Sequence, residues 1–127
     1  MLPTIGGQAF FDIIEEMSGR DYLGEFELLV MLTVIRLGEE AYGVPVSREI
    51  EWHTGRNVVF GTVYATLERL EKKGLVRSHL GDPTPERGGR AKRYFAVTAR
   101  GLRAVKETKR TLIGLWQGVR ALDREAV

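Results

Sequence analysis

The chain has 127 residues, 43% of them hydrophobic and 28% charged, with a formal net charge of +2 and no cysteine. That length holds one domain and at most an appended helix, with a core small enough that a second subunit would help it. The missing cysteines exclude a disulfide framework and a thiolate metal site. No apolar run approaches the roughly 18 residues that span a bilayer, and Asp12, Glu15 and Glu16 near the start do not fit a signal peptide, so a cytoplasmic protein with no membrane partner is expected.

The small net charge conceals a separation. Residues 1–51 hold 10 Asp/Glu against 3 Lys/Arg, whereas residues 68–110 hold 13 Lys/Arg against 5 Asp/Glu. A basic block of this kind points to a polyanionic partner, unless folding mixes the charges again.

In chain order, Phe10, Ile13, Ile14 and Met17 recur at helical spacing and predict a helix over about 7–18, stopped by Gly19. The next segment, "GEFELLVMLTVIRLG", is apolar nearly all round from Leu28 to Ile35. Its Leu, Met and Glu content and the stop at Gly38 favour a central, buried helix over a strand. In "GVPVSREIEWHTG", Pro45 suits a first helical turn, Val46 and Ile50 share a face and Gly55 terminates. Trp52 in this segment reads as a packing residue.

"GTVYATLERLEKKG" predicts an amphipathic helix with Val63, Leu67 and Leu70 inward. Its other stripe is Thr62, Thr66, Arg69 and Lys73, with Ala65 and Lys72 beside it. Small side chains allow close approach to a groove, hydroxyls reach base edges or phosphates, and cations bind phosphate. A plain solvated face fits the same pattern. "LVRSHL" and "KRYFAVT" then alternate like the two strands of a hairpin. The intervening loop carries two prolines and the pair Gly88–Gly89, and Arg87, Arg90, Lys92 and Arg93 cluster around it. A bendable tip with dense positive charge suits DNA phosphates or the minor groove, although a charged turn in solvent would read alike.

The last element runs from Thr98, a candidate N-cap, to about Leu122. Leu102, Val105, Leu112, Trp116 and Val119 form a seam at 3–4 spacing that exceeds what the chain's own core needs, so a dimerisation helix is expected. His53 and His79 have no ligand-spaced neighbours, and no metal site or cofactor is expected. No nucleophile, phosphate-loop or paired-carboxylate motif supports an enzyme.

The element order is that of a winged helix-turn-helix: mainly α, with a small β-hairpin wing, a C-terminal dimerisation helix and an extra N-terminal helix. Three segments make the resemblance specific: "LGEFELLVMLTVIRLGEEAYG" (23–43), "GTVYATLERLEKKGLV" (61–76) and "RGGRAKRYFAVTARG" (87–101). They resemble the PadR family of transcriptional regulators, through Gly61, Tyr64, Leu67, Leu70, Glu71 and Gly74 in the helix and Arg90, Lys92, Arg93, Tyr94, Thr98 and Gly101 in the wing.

The resemblance implies a homodimeric repressor on double-stranded DNA, two recognition helices entering successive major grooves of an inverted-repeat operator. Carried over by position, Thr62 and Tyr64 contact backbone or base edges and Arg69 and Lys73 contact phosphates. Ala65, Thr66 and the four wing cations complete the DNA-binding set. Tyr42 and Gly43 match structural positions. The implied organisation is an N-terminal helix (1–20) packing on the dimer interface through Phe10 and Ile14, a DNA-binding domain (21–98) and a dimerisation helix (99–127). Trp116 is an interface anchor or, as in the family's short branch, a contact for a flat hydrophobic or aromatic effector. The competing readings are a winged-helix protein-interaction module, or a ligand-binding dimer without sequence-specific DNA binding.

Overall fold

The computed structural model describes residues 23–83 and 91–123. The predicted N-terminal helix, with Phe10 and Ile14, and the wing-tip residues Arg87 and Arg90 lie outside the described residues. Among the described residues the order is α1 (Glu25–Leu37), a 3₁₀ turn (Gly38–Glu40), α2 (Gly43–Thr54), α3 (Phe60–Lys72), β1 (Val76–Leu80), β2 (Arg93–Val97), α4 (Ala99–Trp116) and a short α5 (Arg120–Asp123). Three helices followed by a hairpin and a further helix are the mainly α, winged helix-turn-helix arrangement expected.

Local chemistry sets the boundaries. The Glu27 carboxylate reaches back to the Gly24 N–H at 3.0 Å and so serves an open donor at the start of α1. Pro45 lies in the first turn of α2, where no donor is lost. The Thr98 hydroxyl accepts from the Gly101 N–H at 3.0 Å and caps α4. Helices α1, α2 and α3 run out at Gly38, Gly55 and the Lys73–Gly74 turn.

The core forms where these elements meet. Val30, Met31 and Val34 of α1 meet Val46 and Ile50 of α2 and Val63, Leu67 and Leu70 of α3, and Leu75, Val76 and Phe95 close it from the hairpin. The strands pair antiparallel from Val76↔Val97 to Leu80↔Arg93. The Phe95 N–H donates to the Ala41 carbonyl at 2.8 Å, which fastens the wing to the segment ahead of α2. At Gly101, an added Cβ would lie 2.0 Å from the Leu75 carbonyl oxygen, so only glycine lets α4 lie this close to the start of the hairpin.

Four expectations are corrected. Helix α1 is not buried all round: Leu32 and Ile35 are exposed on the side away from α2 and α3. Trp52 is not a packing residue. It points away from the buried stripe of α2 and is 82% exposed. Val105, expected on the dimer seam, is buried in the chain's own core beside Ala104. The terminal helix does not continue to Leu122: α4 ends at Trp116, and Gly118 adopts a φ of 81°, a left-handed conformation that breaks the ladder before α5. No helix among the described residues is long and apolar enough to cross a membrane.

Candidate nucleic-acid interface

The buried stripe of α3 fixes which face is outward. Val63, Leu67 and Leu70 point into the core. At 3.6 residues per turn, Ala65 and Lys72 then lie about 170° from that stripe, with Thr62 and Arg69 on one edge of the outer face. After the half-exposed Phe60 that opens the helix, the first two turns present small groups outward: Gly61, around whose Cα there is open space, and the exposed Thr62 and Ala65. Val59, in extended conformation, precedes the helix and offers no side-chain cap. An uncapped helix start has a positive dipole end, and the small side chains that follow Val59 and Phe60 allow close approach to phosphate or a base edge.

Thr66 does not belong to this face. It is 2% exposed, and its hydroxyl donates to the Thr62 carbonyl at 2.8 Å. The helical wheel explains the error: Thr66 lies about 70° from the core stripe, on the side that α1 covers. The sequence assigns Thr66 to the outward stripe because it is small and polar, properties a buried helix position also accepts when its hydroxyl bonds the preceding turn.

Several predicted cations have partners within the chain. Arg69 Nε and Lys73 Nζ lie 3.2 and 3.1 Å from the same Glu27 carboxylate oxygen. Burial pushes the Glu27 carboxyl up, but the Gly24 N–H, Lys73 and Arg69 together outweigh it and hold the group below its ordinary range. Arg93 is held more completely. Its Nη1 donates to the Tyr64 hydroxyl at 2.9 Å, its Nε to Ser78 Oγ at 3.1 Å and its Nη2 to Glu71, with Glu68 3.4 Å away. The guanidinium also lies 5.1 Å from the Phe95 ring centre. The Tyr64 hydroxyl, opposed by burial and assisted by Glu71, raises the Arg93 pKa further. The hydrogen bond from Ser78, against burial and with help from Arg93, lowers that of Glu71.

Tyr64 thereby serves as the link between α3 and the wing. Its ring packs edge-on against Phe95 at 6.2 Å while its hydroxyl accepts a hydrogen bond from Arg93. Lys92 sits with Nζ 4.5 Å from the centre of the Tyr42 ring, and Tyr42 in turn meets Tyr94 edge-on at 5.4 Å. Wing and helix-turn-helix are therefore joined by two clusters of aromatic rings and cations, Lys92 with Tyr42 and Tyr94, and Arg93 with Tyr64 and Phe95.

The sequence reasoning missed Glu27 and Glu71 as partners of these cations, since nothing in one-dimensional spacing links Glu27 to Arg69 or Lys73. It also missed Arg48, which lies exposed on α2 with no ion pair among the described residues. Lys72 was noted only as a neighbour, although the wheel centred on Val63, Leu67 and Leu70 places it opposite the core. Among the described residues no group of three His, Cys, Asp or Glu could hold a metal ion. His53 instead meets Glu49 of its own helix at 3.0 Å.

The second surface feature is the end of α4. Every residue from Lys109 to Leu122 is exposed, including Leu112, Ile113, Leu115 at 72% and Trp116 at 58%. Val119 and Leu122 beyond the break, and Leu102 nearer the core, add to this apolar surface.

Comparison with known proteins agrees with the architecture. The sequence profile of the Transcriptional regulator PadR-like family matches residues 31–107, from the middle of α1 into α4. The crystal structure of a PadR family transcriptional regulator from Eggerthella lenta DSM 2243 is similar at 29% identity and a TM-score of 0.60, covering 91% of this chain and 96% of that one. A complex structure of hsRosR-S4 is 29% identical with a TM-score of 0.58, covering 76% of each chain. A PadR-like transcriptional regulator from Bacillus cereus strain ATCC 14579 shares the fold at 24% identity and a TM-score of 0.62, over 76% of this chain and 89% of that one. With its three helices, its hairpin and a matched profile spanning more than half its length, the chain belongs to the PadR-like family of transcriptional regulators.

Proposed function

We propose that the protein is a homodimeric, sequence-specific repressor that places two copies of α3 in successive major grooves of an inverted-repeat operator, with the hairpins alongside. The observation that carries this reading is the first two turns of α3: an uncapped start, then, past Phe60, Gly61 with open space around it and the exposed Thr62 and Ala65. Lys72, Lys92 and Arg48 supply charge at the margins, and Arg87 and Arg90 are proposed to add the wing tip's phosphate contacts. Repression as the mode follows from the family resemblance.

Dimerisation is proposed through the projecting half of α4. Leu112, Trp116 and Val119, with Leu102, form an exposed apolar surface that a lone protomer would leave in water. A second copy could also seat against the groove of about 400 Å³ between the end of α1 (Val34, Ile35), the sheet (His79, Tyr94) and Leu102. Residues 1–20 are proposed to add to this interface, residues 21–98 to form the DNA-binding unit and residues 99–127 the dimerisation helix. The exposed indole of Trp116 is the place where a flat aromatic effector would act, and saturable quenching of its fluorescence by planar compounds tests that role.

The decisive experiment is an anisotropy titration of duplexes from upstream of the protein's own coding region, against a scrambled duplex, over a range of salt. Affinity for the operator should exceed that for the scrambled duplex by about 10³ or more at physiological salt. Equal, weak and salt-sensitive binding to every fragment of a genome-wide selection would refute sequence-specific repression. It would return the protein-interaction reading.

A further inference from the structure

Glu27 occupies the third position of α1, where a carboxylate ordinarily caps its own helix and faces solvent. Here one oxygen does serve the Gly24 N–H, but the other meets Arg69 and Lys73 of the recognition helix at 3.2 and 3.1 Å. The Glu27 side chain is only 10% exposed, whereas those of Arg69 and Lys73 are 52% and 40% exposed. The two cations lie one turn apart, on the edge of α3 that also carries Thr62. Only Nε of the Arg69 guanidinium is used in the pair. A carboxylate therefore stands where the oxygen of a DNA phosphate would otherwise be the natural partner of two cations on the recognition helix.

Resting on the DNA-binding reading above, we propose that Glu27 is a positioning residue that holds Arg69 and Lys73 against the body of the domain and withholds their charge from the DNA backbone. Binding to arbitrary sequence depends on how many phosphates the protein neutralises, each contributing about 0.9 to the slope of log K against log salt. A protein that keeps two recognition-helix cations paired internally binds non-specific DNA more weakly. Readout by the first turns of α3 is left intact. The ratio between specific and non-specific affinity is thereby widened without any added base contact.

The test compares the wild type with Glu27→Gln on a scrambled duplex, by anisotropy across a salt series. The amide oxygen can still accept from the Gly24 N–H, so the cap is retained. Glu25→Gln is the control: it removes the same charge from the same turn, but Glu25 pairs with Arg56 at 2.7 Å and does not touch α3. Glu27→Gln is expected to tighten non-specific binding about threefold to tenfold and to steepen the salt slope by about one to two units, while Glu25→Gln changes the slope by less than half as much. Adding Arg69→Gln and Lys73→Gln to Glu27→Gln should return the slope to the wild-type value. A mere loss of structure would instead weaken binding and flatten the slope.

If Glu27→Gln does not fold, Arg69→Gln/Lys73→Gln in the wild-type background carries the test. The proposal expects little change in non-specific slope, and a fall of about two units would overturn it. Elution from heparin is measured in parallel. A wild type that binds no duplex, with a Glu27→Gln variant that elutes later from heparin, retains the Glu27 clamp and removes the DNA reading. A folded Glu27→Gln variant indistinguishable from wild type on both polyanions overturns the proposal.

Discussion

Replacing Arg93 with alanine separates two accounts of a cation that its position in the wing assigns to DNA. In the structure its guanidinium donates to Tyr64, Ser78 and Glu71, and its side chain is 29% exposed. Hydrogen bonds to charged groups contribute about 1.5–3 kcal/mol each when buried. The Glu71 side chain is 31% exposed and Glu68 is 49% exposed, so solvent screens both and the Glu68 pair adds little. Losing the network, and leaving the Tyr64 hydroxyl and Glu71 to water, should cost about 2–3 kcal/mol in all. For a chain of this length that lowers Tm by roughly 8–15 °C.

Thermal melts by circular dichroism at a fixed protein concentration measure this, with Lys72→Ala as the control expected within about 0.5 kcal/mol of wild type. The salt slope of DNA binding, measured below the transition, should be unchanged in Arg93→Ala, because the guanidinium neutralises carboxylates rather than phosphate. A variant with wild-type Tm and a slope lower by about one unit would show that Arg93 is a phosphate ligand after all.

Gly101→Ala drives a methyl group into the Leu75 carbonyl, 2.0 Å from where the Cβ must sit. A loss of at least about 2 kcal/mol in urea unfolding is expected, and a neutral result would mean that α4 does not pack on the hairpin as described. Thr66→Val removes a hydroxyl that bonds its own helix, so operator affinity should stay within about twofold of wild type; a tenfold loss would mean that Thr66 faces DNA. The lowered pKa of Glu27 gives a signed pH dependence. Its stabilisation is fully present above the ordinary glutamate pKa of about 4.3 and is lost as pH falls through the lower folded value. The urea midpoint of wild type should therefore exceed that of Glu27→Gln at pH 7, with the gap closing towards pH 3. A gap that does not narrow would place the stabilisation elsewhere.

The fold was legible because local signals agreed with one another. Gly38, Gly55 and Thr98 end or begin helices where the apolar period changes, and the hairpin strands alternate on either side of a loop that neither could enter. What was not legible depends on geometry between elements. Glu27 and Arg69 are 42 positions apart, and no spacing rule announces that the carboxylate of one binds the guanidinium of the other. Likewise, the basic run before β2 shows charge density but not direction, and Arg93 turns back to the recognition helix while Lys92, one residue earlier, lies over Tyr42. Trp52 failed for a different reason: large aromatic residues are usually buried, and a rule about averages carries no information on the face a particular side chain takes. The apolar surplus of the terminal helix was correctly seen as surplus, but part of it, Val105, belongs to the protomer's own core.

Thr98 is a single residue between the wing and α4, and its hydroxyl both accepts from Gly101 and donates to the Gly74 carbonyl at the end of the recognition helix. Its N–H is bonded to the Leu75 carbonyl at 3.0 Å, which leaves no slack at this joint. Helix α4 is 18 residues long, or about 27 Å, and only its near end is anchored in the core. It is therefore a lever with its fulcrum where α3 meets the hairpin. A tilt of 5° at the fulcrum displaces the far end by about 2.4 Å, and an equal displacement imposed at the far end turns α3 and the hairpin by the same angle. In the proposed dimer, joined at the far ends, whatever changes the packing there resets the span between the two copies of α3 without touching either of them.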